Sequence, residues 1–411
     1  MPKKATIFTF DSYKVSPDKK RLFFTYTTTF KDHSTLSFTE TIILPISAKK
    51  LSPDLFKKFL QDLHILLGIS YYKLYGATKV SLPYKLAKEE AAFWNTIYQT
   101  GLGEFFYRNK LDPKIAPKFP FVKSAKPTTY TLPTDAKKVL VGIGGGKDSL
   151  VSLELLKEAD FAVTGLSIET NKRFVIPANV AKKAGVSLIT IRRELDKKIF
   201  EKHQYQGHIP VSIIYGFLGM LAAALYGQKY FVVSNEYSSN FGNIIYKGRE
   251  VNHQWSKSFE AEKLIREYVK KFITNDITYF SLLRRFYEIR IVKQFAKYKK
   301  YFTTFSSCNN NFTLRGNKEG RWCNNCPKCV FAFTLLSAFL TKEELIEIFG
   351  KNLYQERELL PLFKDILGLG EMKPFDCVGT FEESQTALYL AKEKFSDDII
   401  VAKLEEKVNY F

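Results

Sequence analysis

The chain has 411 residues, of which 45% are hydrophobic and 25% are charged. This balance is typical of a globular protein and excludes a disordered or fibrous one. No apolar run reaches the roughly 18 residues that span a bilayer, and the first residues lack the apolar stretch of a secretory signal. We therefore expect a cytoplasmic protein with no membrane partner.

The formal net charge is +20. A basic surface attracts nucleic acid, anionic lipid or phosphorylated small molecules. The positive charge is spread along the chain and forms no Arg-rich block. Nucleic acid is therefore the less favoured partner, although the charge leaves it open.

Residues 1–133 are predicted to form an N-terminal α+β domain. Ser52 and Pro53 begin a helix, because both suit the first turn, and a second helix is predicted over residues 87–108. A linker rich in Pro and Lys ends this domain near Pro133. Three runs rich in β-branched and aromatic residues predict antiparallel strands at 7–10, 21–26 and 38–44.

Residues 134–305 alternate between short apolar strands and helices. Such alternation predicts an α/β fold with a doubly wound parallel sheet. Residues 306–411 are predicted to form a cysteine knuckle followed by a helical region. The predicted strands of the sheet are 138–143, 162–168, 186–191 and 230–233.

A glycine-rich turn joins the first of these strands to a helix. Strand, tight turn and helix in this order direct backbone N–H groups and a helix N-terminus at an anion. Asp148 would repel a phosphate unless Mg²⁺ lies between them, so it indicates a metal-bound nucleotide and a part in catalysis. A turn without a ligand is the alternative, but it does not require this composition. The turn consists of Gly144, Gly145, Gly146, Lys147, Asp148 and Ser149.

This turn resembles the SGGxDS motif of the PP-loop (HUP-like, N-type) ATP pyrophosphatases. The resemblance implies that ATP is split into AMP and pyrophosphate and that a carbonyl or carboxyl oxygen is adenylated. It also implies that the adenine lies near the end of the second strand, about Ile168. Gly144 stands where most of that superfamily has Ser or Thr, so one hydroxyl contact is absent.

Four of the five cysteines lie within a short stretch, and their spacing predicts a metal site. The two CxxC steps form a knuckle turn, and one upstream cysteine completes four ligands. Zn²⁺ in a structural role is favoured, because four thiolates close its shell. An iron–sulfur cluster is the rival, and unligated thiols are the third alternative. The four are Cys308, Cys323, Cys326 and Cys329.

Polar residues directly follow the fourth strand of the predicted sheet. Ligands of open α/β sheets bind outside the carboxyl ends of the strands. Asn235, Glu236 and Asn240 are therefore candidate contacts of the substrate or of Mg²⁺, and a simple polar turn is the alternative.

Two further segments carry candidate proton-transfer groups. His208 and His253 are two of only five histidines. For each of them, a structural role as a hydrogen-bonded histidine is about as consistent with the sequence as a role in proton transfer. Cys377 is the cysteine outside the cluster, with Asp376 and Lys373 as neighbours. A nearby cation stabilises a thiolate, although an inert buried thiol is the plain alternative.

Together these segments resemble the ATP-dependent UDP-N-acetylmuramoyl-L-alanyl-L-glutamate epimerases of peptidoglycan synthesis. The resemblance implies that a UDP-muramoyl dipeptide is the substrate and that its terminal L-Glu is adenylated and inverted. Lys373 and His208 would then contact the substrate, and Cys377, Asp376 or His253 would move the proton. The stretches that carry the resemblance are 144–149, 207–210, 235–240, 251–258, 307–309, 323–329 and 373–380.

Two other functions fit the same residues. A PP-loop enzyme that modifies tRNA or a nucleobase would explain both the cysteines and the positive charge. A non-catalytic nucleotide-binding regulator would keep the glycine turn without releasing pyrophosphate.

Overall fold

The computed structural model describes residues 4–170, 175–312 and 320–408. The strands are β1 Ala5–Val15, β2 Arg21–Phe30, β3 Thr35–Ile43, β4 Lys79–Ser81, β5 Asp135–Gly142, β6 Ala162–Thr170, β7 Ser187–Glu194, β8 Gln228–Val233, β9 Ile244–Tyr246, β10 Arg249–Val251 and β11 Thr278–Ser281. The helices are α1 Pro53–Tyr72, α2 Lys88–Thr100, α3 Gly103–Arg108, α4 Lys147–Glu158, α5 Val175–Ala184, α6 Val211–Tyr226, α7 Phe259–Phe272, α8 Glu288–Phe295, α9 Asn309–Phe312, α10 Pro327–Ser337, α11 Lys342–Phe349, α12 Leu360–Ile366, α13 Phe381–Ala391 and α14 Ile399–Leu404.

The main sheet contains both the parallel strands and the N-terminal meander. Among the described residues it has nine strands in the order β11, β8, β5, β6, β7, β3, β2, β1, β4. Strands β11, β8, β5, β6 and β7 run parallel, whereas β3, β2 and β1 are antiparallel. The predicted α/β class, with parallel strands and an antiparallel meander, is confirmed.

The two kinds of strand meet where β3 pairs with β7. Thr41 to Ile43 lie opposite Arg192 to Glu194. The sheet thus continues across the predicted domain boundary at residue 133. The division of the chain at residues 133 and 305 stays a prediction.

Both faces of the parallel strands are covered by helices. Along β5, Leu140 packs into one core, while Val139 and Val141 pack into the other. Helices α1, α6 and α7 contribute to the first core, and α4, α8 and α10 contribute to the second. No helix in the described ranges has both the length and the apolar character that crossing a membrane requires.

The helix predicted over residues 87–108 is wrong in one respect, because the structure divides it. Helix α2 ends at Thr100 and α3 begins at Gly103. Gly101 lies against Pro210, whose Cγ would be 2.8 Å from a Cβ added at that glycine. Two glycines two positions apart, Gly101 and Gly103, also weaken a helix. The break places α3 beside β10.

A buried ion pair joins the antiparallel and parallel parts of the sheet. Arg193 of β7 donates to both carboxylate oxygens of Glu40 on β3, at 2.6 and 3.2 Å, and to Ser70 Oγ at 2.7 Å. Burial raises the pKa of Glu40, and Arg193 opposes that rise. The ionised form of Glu40 is therefore stabilised by Arg193, and the buried guanidinium is stabilised by Glu40 in return.

Replacing Arg193→Met should lower the free energy of unfolding by about 3–5 kcal/mol, because it leaves Glu40 buried without its partner. Urea unfolding followed by circular dichroism measures the effect. Arg192→Met is the matched control, since that side chain is half-exposed and forms an ion pair with the equally exposed Glu194. It should change stability by less than about 1 kcal/mol. Equal effects of the two changes would contradict the role given to the buried pair.

Candidate active site

A cavity of about 350 Å³ lies at the carboxyl ends of the parallel strands. Strands β5, β6 and β8 end there, and side chains from more distant segments complete its wall. This is the edge at which open α/β sheets bind ligands. Residues from many separate parts of the sequence line it, including Gly144, Asp148, Ile168, Asn235, Glu236, Lys257, Ser307, Lys328 and Cys377.

The glycine turn forms the floor of this cavity. Gly145 has a φ of +93°, a conformation that suits glycine. A Cβ at Gly146 would lie 3.0 Å from Ser307 Oγ, so glycine is needed for this close approach. Helix α4 begins directly after Gly146, and its free N–H groups therefore lie at the turn.

The polar residues of the turn divide into two groups. Asp148 and Ser149 line the cavity, and the Ser149 hydroxyl donates to the Gly146 carbonyl at 2.9 Å. Lys147 is instead fully buried behind the turn. Its ammonium donates to Asp148 Oδ1 and to Glu288 Oε1, each at 2.6 Å. The structure therefore turns Lys147 away from the position of a direct phosphate contact.

Glu288 is a functional candidate that the sequence analysis missed. Lys328 donates to the same Oε1 at 3.0 Å, while Oε2 has no hydrogen-bond partner among the described residues. Burial raises the pKa of Glu288, but Lys147 and Lys328 lower it to about 2. The carboxylate thus stays charged and holds two lysines in place.

Ser307 was also missed, although it precedes the first cysteine of the cluster. It is buried, and its hydroxyl has no hydrogen-bond partner in the described part of the chain. Because Oγ lies next to Gly146 on the cavity wall, it is free to donate to an anion held by the turn.

The four predicted metal ligands come together. Their sulfurs lie within 4.8 Å of one another, and those of Cys323 and Cys329 are 3.7 Å apart. Bonds of about 2.3 Å from one tetrahedral ion give sulfur separations of this size. The donor set therefore fits a single metal ion. Residues 313–319, between Cys308 and Cys323, lie outside the described residues.

The cysteine knuckle also carries a cation to the cavity. Lys328 stands between Cys326 and Cys329, at the start of α10, and it lines the cavity. The sequence signal for this residue was its place inside the ligand motif. The knuckle thereby sets the position of a positive charge opposite the glycine turn.

Cys377 lies in the same cavity as the glycine turn. Lys257 Nζ is 3.1 Å from its sulfur, and His253 is close enough to the thiol to lower its pKa. Burial raises the pKa of the thiol, but Lys257 and His253 together lower it to about 7. A thiolate is therefore accessible near neutral pH.

The two candidate histidines lie together beside this thiol. Their ring centroids are 4.3 Å apart. Burial lowers the pKa of His208 to about 3, and the nearby His253 adds to that effect. Burial also lowers the pKa of His253, but Cys377 and Glu104 raise it to about 9. Glu104, on α3, is a further residue that the sequence analysis missed.

The other candidates differ in their relation to the cavity. Asn235 and Glu236 line it, and burial together with Glu288 raises the pKa of Glu236. Asn240 instead donates to the Tyr237 carbonyl and accepts from the Phe259 amide, so it holds the backbone.

Lys373 and Asp376 precede Cys377 on the same segment. Asp376 Oδ1 accepts the Cys377 amide at 2.7 Å and also accepts from Asn309. Lys373 is buried and lines a neighbouring pocket that also includes Tyr287 and Thr380. Burial lowers the pKa of Lys373.

The fold and site define an α/β protein in which a glycine-rich turn, a thiol with a lowered pKa and a lysine of the cysteine knuckle line one cavity. The model of the MurL N-terminal domain matches residues 1–282, and that of the MurL C-terminal domain matches residues 304–410. The chain therefore belongs to the MurL family.

Curated relatives and one solved structure were also found. The UDP-N-acetyl-alpha-D-muramoyl-L-alanyl-L-glutamate epimerase of Salinispora tropica is 36% identical over 98% of this chain and 88% of its own length. The enzyme of the same name from Xanthomonas oryzae pv. oryzae is 37% identical over 84% and 77%. The structure of the U34-tRNA thiolase NcsA from Methanococcus maripaludis with its [4Fe-4S] cluster is 12% identical, with a TM-score of 0.28 over 40% of this chain and 56% of that chain.

Proposed function

We propose that this chain inverts the terminal L-glutamate of UDP-N-acetylmuramoyl-L-alanyl-L-glutamate to D-glutamate, after ATP has adenylated its carboxylate with release of pyrophosphate. Water then releases AMP. The observation that carries the proposal is one cavity in which the glycine turn and the Cys377 thiol both lie. The names of the curated relatives support the substrate and the reaction.

The two halves of the site match two chemical requirements. A Cα–H bond beside a carboxylate is hardly acidic, because the enolate would carry two negative charges. Adenylation removes one of these charges and makes the carboxyl group ester-like. A site for ATP and a site for a base must then lie within the length of one glutamate residue.

Several features support an ATP site at the turn. The start of α4 offers backbone N–H groups to a polyphosphate, and Ser307 and Lys328 offer further donors. Ile168 contributes to an apolar part of the wall, which suits an adenine ring. Asp148 would hold Mg²⁺, which supplies positive charge to the departing pyrophosphate.

Cys377 is proposed as the base that takes the Cα proton. A general base works best when its pKa lies near the operating pH, and the surroundings of Cys377 lower its pKa to about 7. The C–H bond breaks, an S–H bond forms, and the electron pair enters the enolate of the adenylated carboxyl group. Lys257, next to the sulfur, stabilises the thiolate before the transfer.

The remaining parts of the proposal concern fold type, metal and location. The order of turn and strands supports a doubly wound sheet of the PP-loop type. The separations of the four sulfurs support one structural Zn²⁺, since an iron–sulfur cube places several atoms between its cysteines. ATP as a reactant favours the cytoplasm.

With ATP, Mg²⁺ and the dipeptide substrate, the enzyme should produce AMP and pyrophosphate. Asp148→Asn should reduce this turnover at least about tenfold, because a charged contact is worth about 1.5–3 kcal/mol. Separation of the nucleotides by chromatography measures both products. Asp160→Asn, two residues beyond the far end of α4, is the control that should retain activity. The appearance of ADP and phosphate would refute the adenylation step.

Cys377→Ser should stop solvent deuterium from entering Cα of the glutamate, while pyrophosphate release continues. The loss of a general base lowers the rate of proton transfer by about a hundredfold or more. Mass spectrometry of the dipeptide after reaction in deuterium oxide measures the exchange. The wild-type enzyme without ATP is the control and should show no exchange. Exchange at the normal rate in the variant would exclude Cys377 as the base.

The purified protein should contain one Zn²⁺ per chain, and Cys329→Ser should lose it. Elemental analysis measures the metal. Cys377→Ser is the matched control, because that cysteine lies outside the cluster and the metal should remain. Iron with sulfide in the wild-type protein, or no metal at all, would show that the assignment to zinc is wrong.

A further inference from the structure

Glu104 brings a carboxylate from the N-terminal part of the chain to the candidate base. The side chain is buried, and Oε2 accepts a hydrogen bond from His253 Nδ1 at 2.5 Å. Its other oxygen accepts from Arg108, one turn further along α3. Burial alone would raise the pKa of Glu104. The hydrogen bond and the charge of His253 outweigh this effect, so the pKa is lowered. Glu104 is therefore an anion aimed at one ring nitrogen.

His253 is held between this carboxylate and the thiol. Its backbone amide donates to Asn243 Oδ1 at 2.9 Å, which fixes the start of the side chain. Nδ1 is engaged by Glu104, and the imidazole and the Cys377 thiol shift each other's pKa. Carboxylate, imidazole and thiol are thus neighbours in one polar cluster that reaches the cavity.

Glu104, His208 and His253 also lie close enough together to suggest a cation site. The geometry favours a direct hydrogen bond instead. A separation of 2.5 Å between His253 Nδ1 and Glu104 Oε2 leaves no room for an ion, since each metal bond alone is about 2.0–2.2 Å long. Glu104 and His253 are therefore interpreted as a hydrogen-bonded pair and not as ligands of a metal ion.

We propose that Glu104 is a positioning residue, which orients His253 toward Cys377 and keeps its imidazole protonated, so that the sulfur is a thiolate when it takes the Cα proton. The inference rests on the proposed function and deepens it, because it names what activates the base. A carboxylate that fixes the orientation and charge of a histidine is a general way of activating a neighbouring nucleophile or base.

The charges around the pair agree with this arrangement. The pKa of Cys377 is lowered to about 7 and that of His253 is raised to about 9. Below pH 7 the thiol is protonated, and above pH 9 the imidazolium is lost, so the ion pair exists between these values. Lys257 is a second cation next to the sulfur. Because Lys257 remains, loss of the Glu104 charge should lower the fraction of thiolate without abolishing it. The titratable groups that face the pair are Glu104, His208, Lys257, Lys328 and Asp376.

The test is the pH dependence of Cys377 alkylation by iodoacetamide, with the modified peptide identified by mass spectrometry. Only the thiolate reacts, so the rate follows ionisation of the sulfur. In Glu104→Gln, which keeps the size of the side chain and removes its charge, alkylation at pH 7 should slow by about threefold and the midpoint should move to higher pH. Deuterium exchange at Cα should fall by about tenfold or more, while pyrophosphate release should change by less than about twofold.

Three further variants separate this role from a merely structural one. His253→Gln should shift the alkylation profile in the same direction, and the double variant should shift it little beyond His253→Gln alone. Glu89→Gln removes an exposed carboxylate from α2 and is the matched control, which should leave the profile unchanged. An unchanged profile in both Glu104→Gln and His253→Gln would overturn the proposal.

The alkylation experiment needs neither ATP nor the dipeptide. A wild-type enzyme that released ADP would therefore refute the proposed function, and the alkylation profile would still report whether Glu104 acts on the thiol. If Glu104→Gln fails to fold by circular dichroism, His253→Gln tests the imidazole half of the arrangement, and an unshifted profile there overturns it.

Discussion

Glu288 occupies the point at which the glycine turn and the cysteine knuckle meet. Its buried carboxylate accepts from Lys147 behind the turn and from Lys328 in the knuckle. An ion buried without a partner costs several kcal/mol, so each of these three charges requires the others. Segments 144–149 and 323–329 are thereby held at a fixed separation, and the cavity lies between them.

The same constraint decides which positive charges face a ligand. Lys147 pairs with Glu288 and Asp148, so the backbone N–H groups at the start of α4 are what the turn itself offers to an anion. Lys328 and Lys257 line the cavity and place cations toward an anionic ligand. A metal in the cysteine cluster would then matter for the site chiefly by fixing the backbone that carries Lys328.

Local patterns allowed the parallel strands β5, β6, β7 and β8, the glycine turn and the cysteine cluster to be predicted, because each depends on residues close in sequence, whereas the short strand β11 was missed. The division between α2 and α3 was missed, since it depends on contact of Gly101 with Pro210. Glu104 and Glu288 were missed for a related reason. Glu104 is 149 residues from His253, and Glu288 is 141 from Lys147, so only tertiary packing brings these charges together.

Cys377 and Asp376 are adjacent residues with different surroundings. Asp376 Oδ1 accepts from the Cys377 amide and from the Asn309 side chain, so this oxygen helps to orient the segment. Asn243 and Gln254 donate to the carbonyls of Pro374 and Val378 on either side and hold the same segment from the other direction. The sulfur is left as the group that projects into the cavity, beside Lys257. The carboxylate that sequence alone offers as an alternative base is therefore part of what orients the thiol.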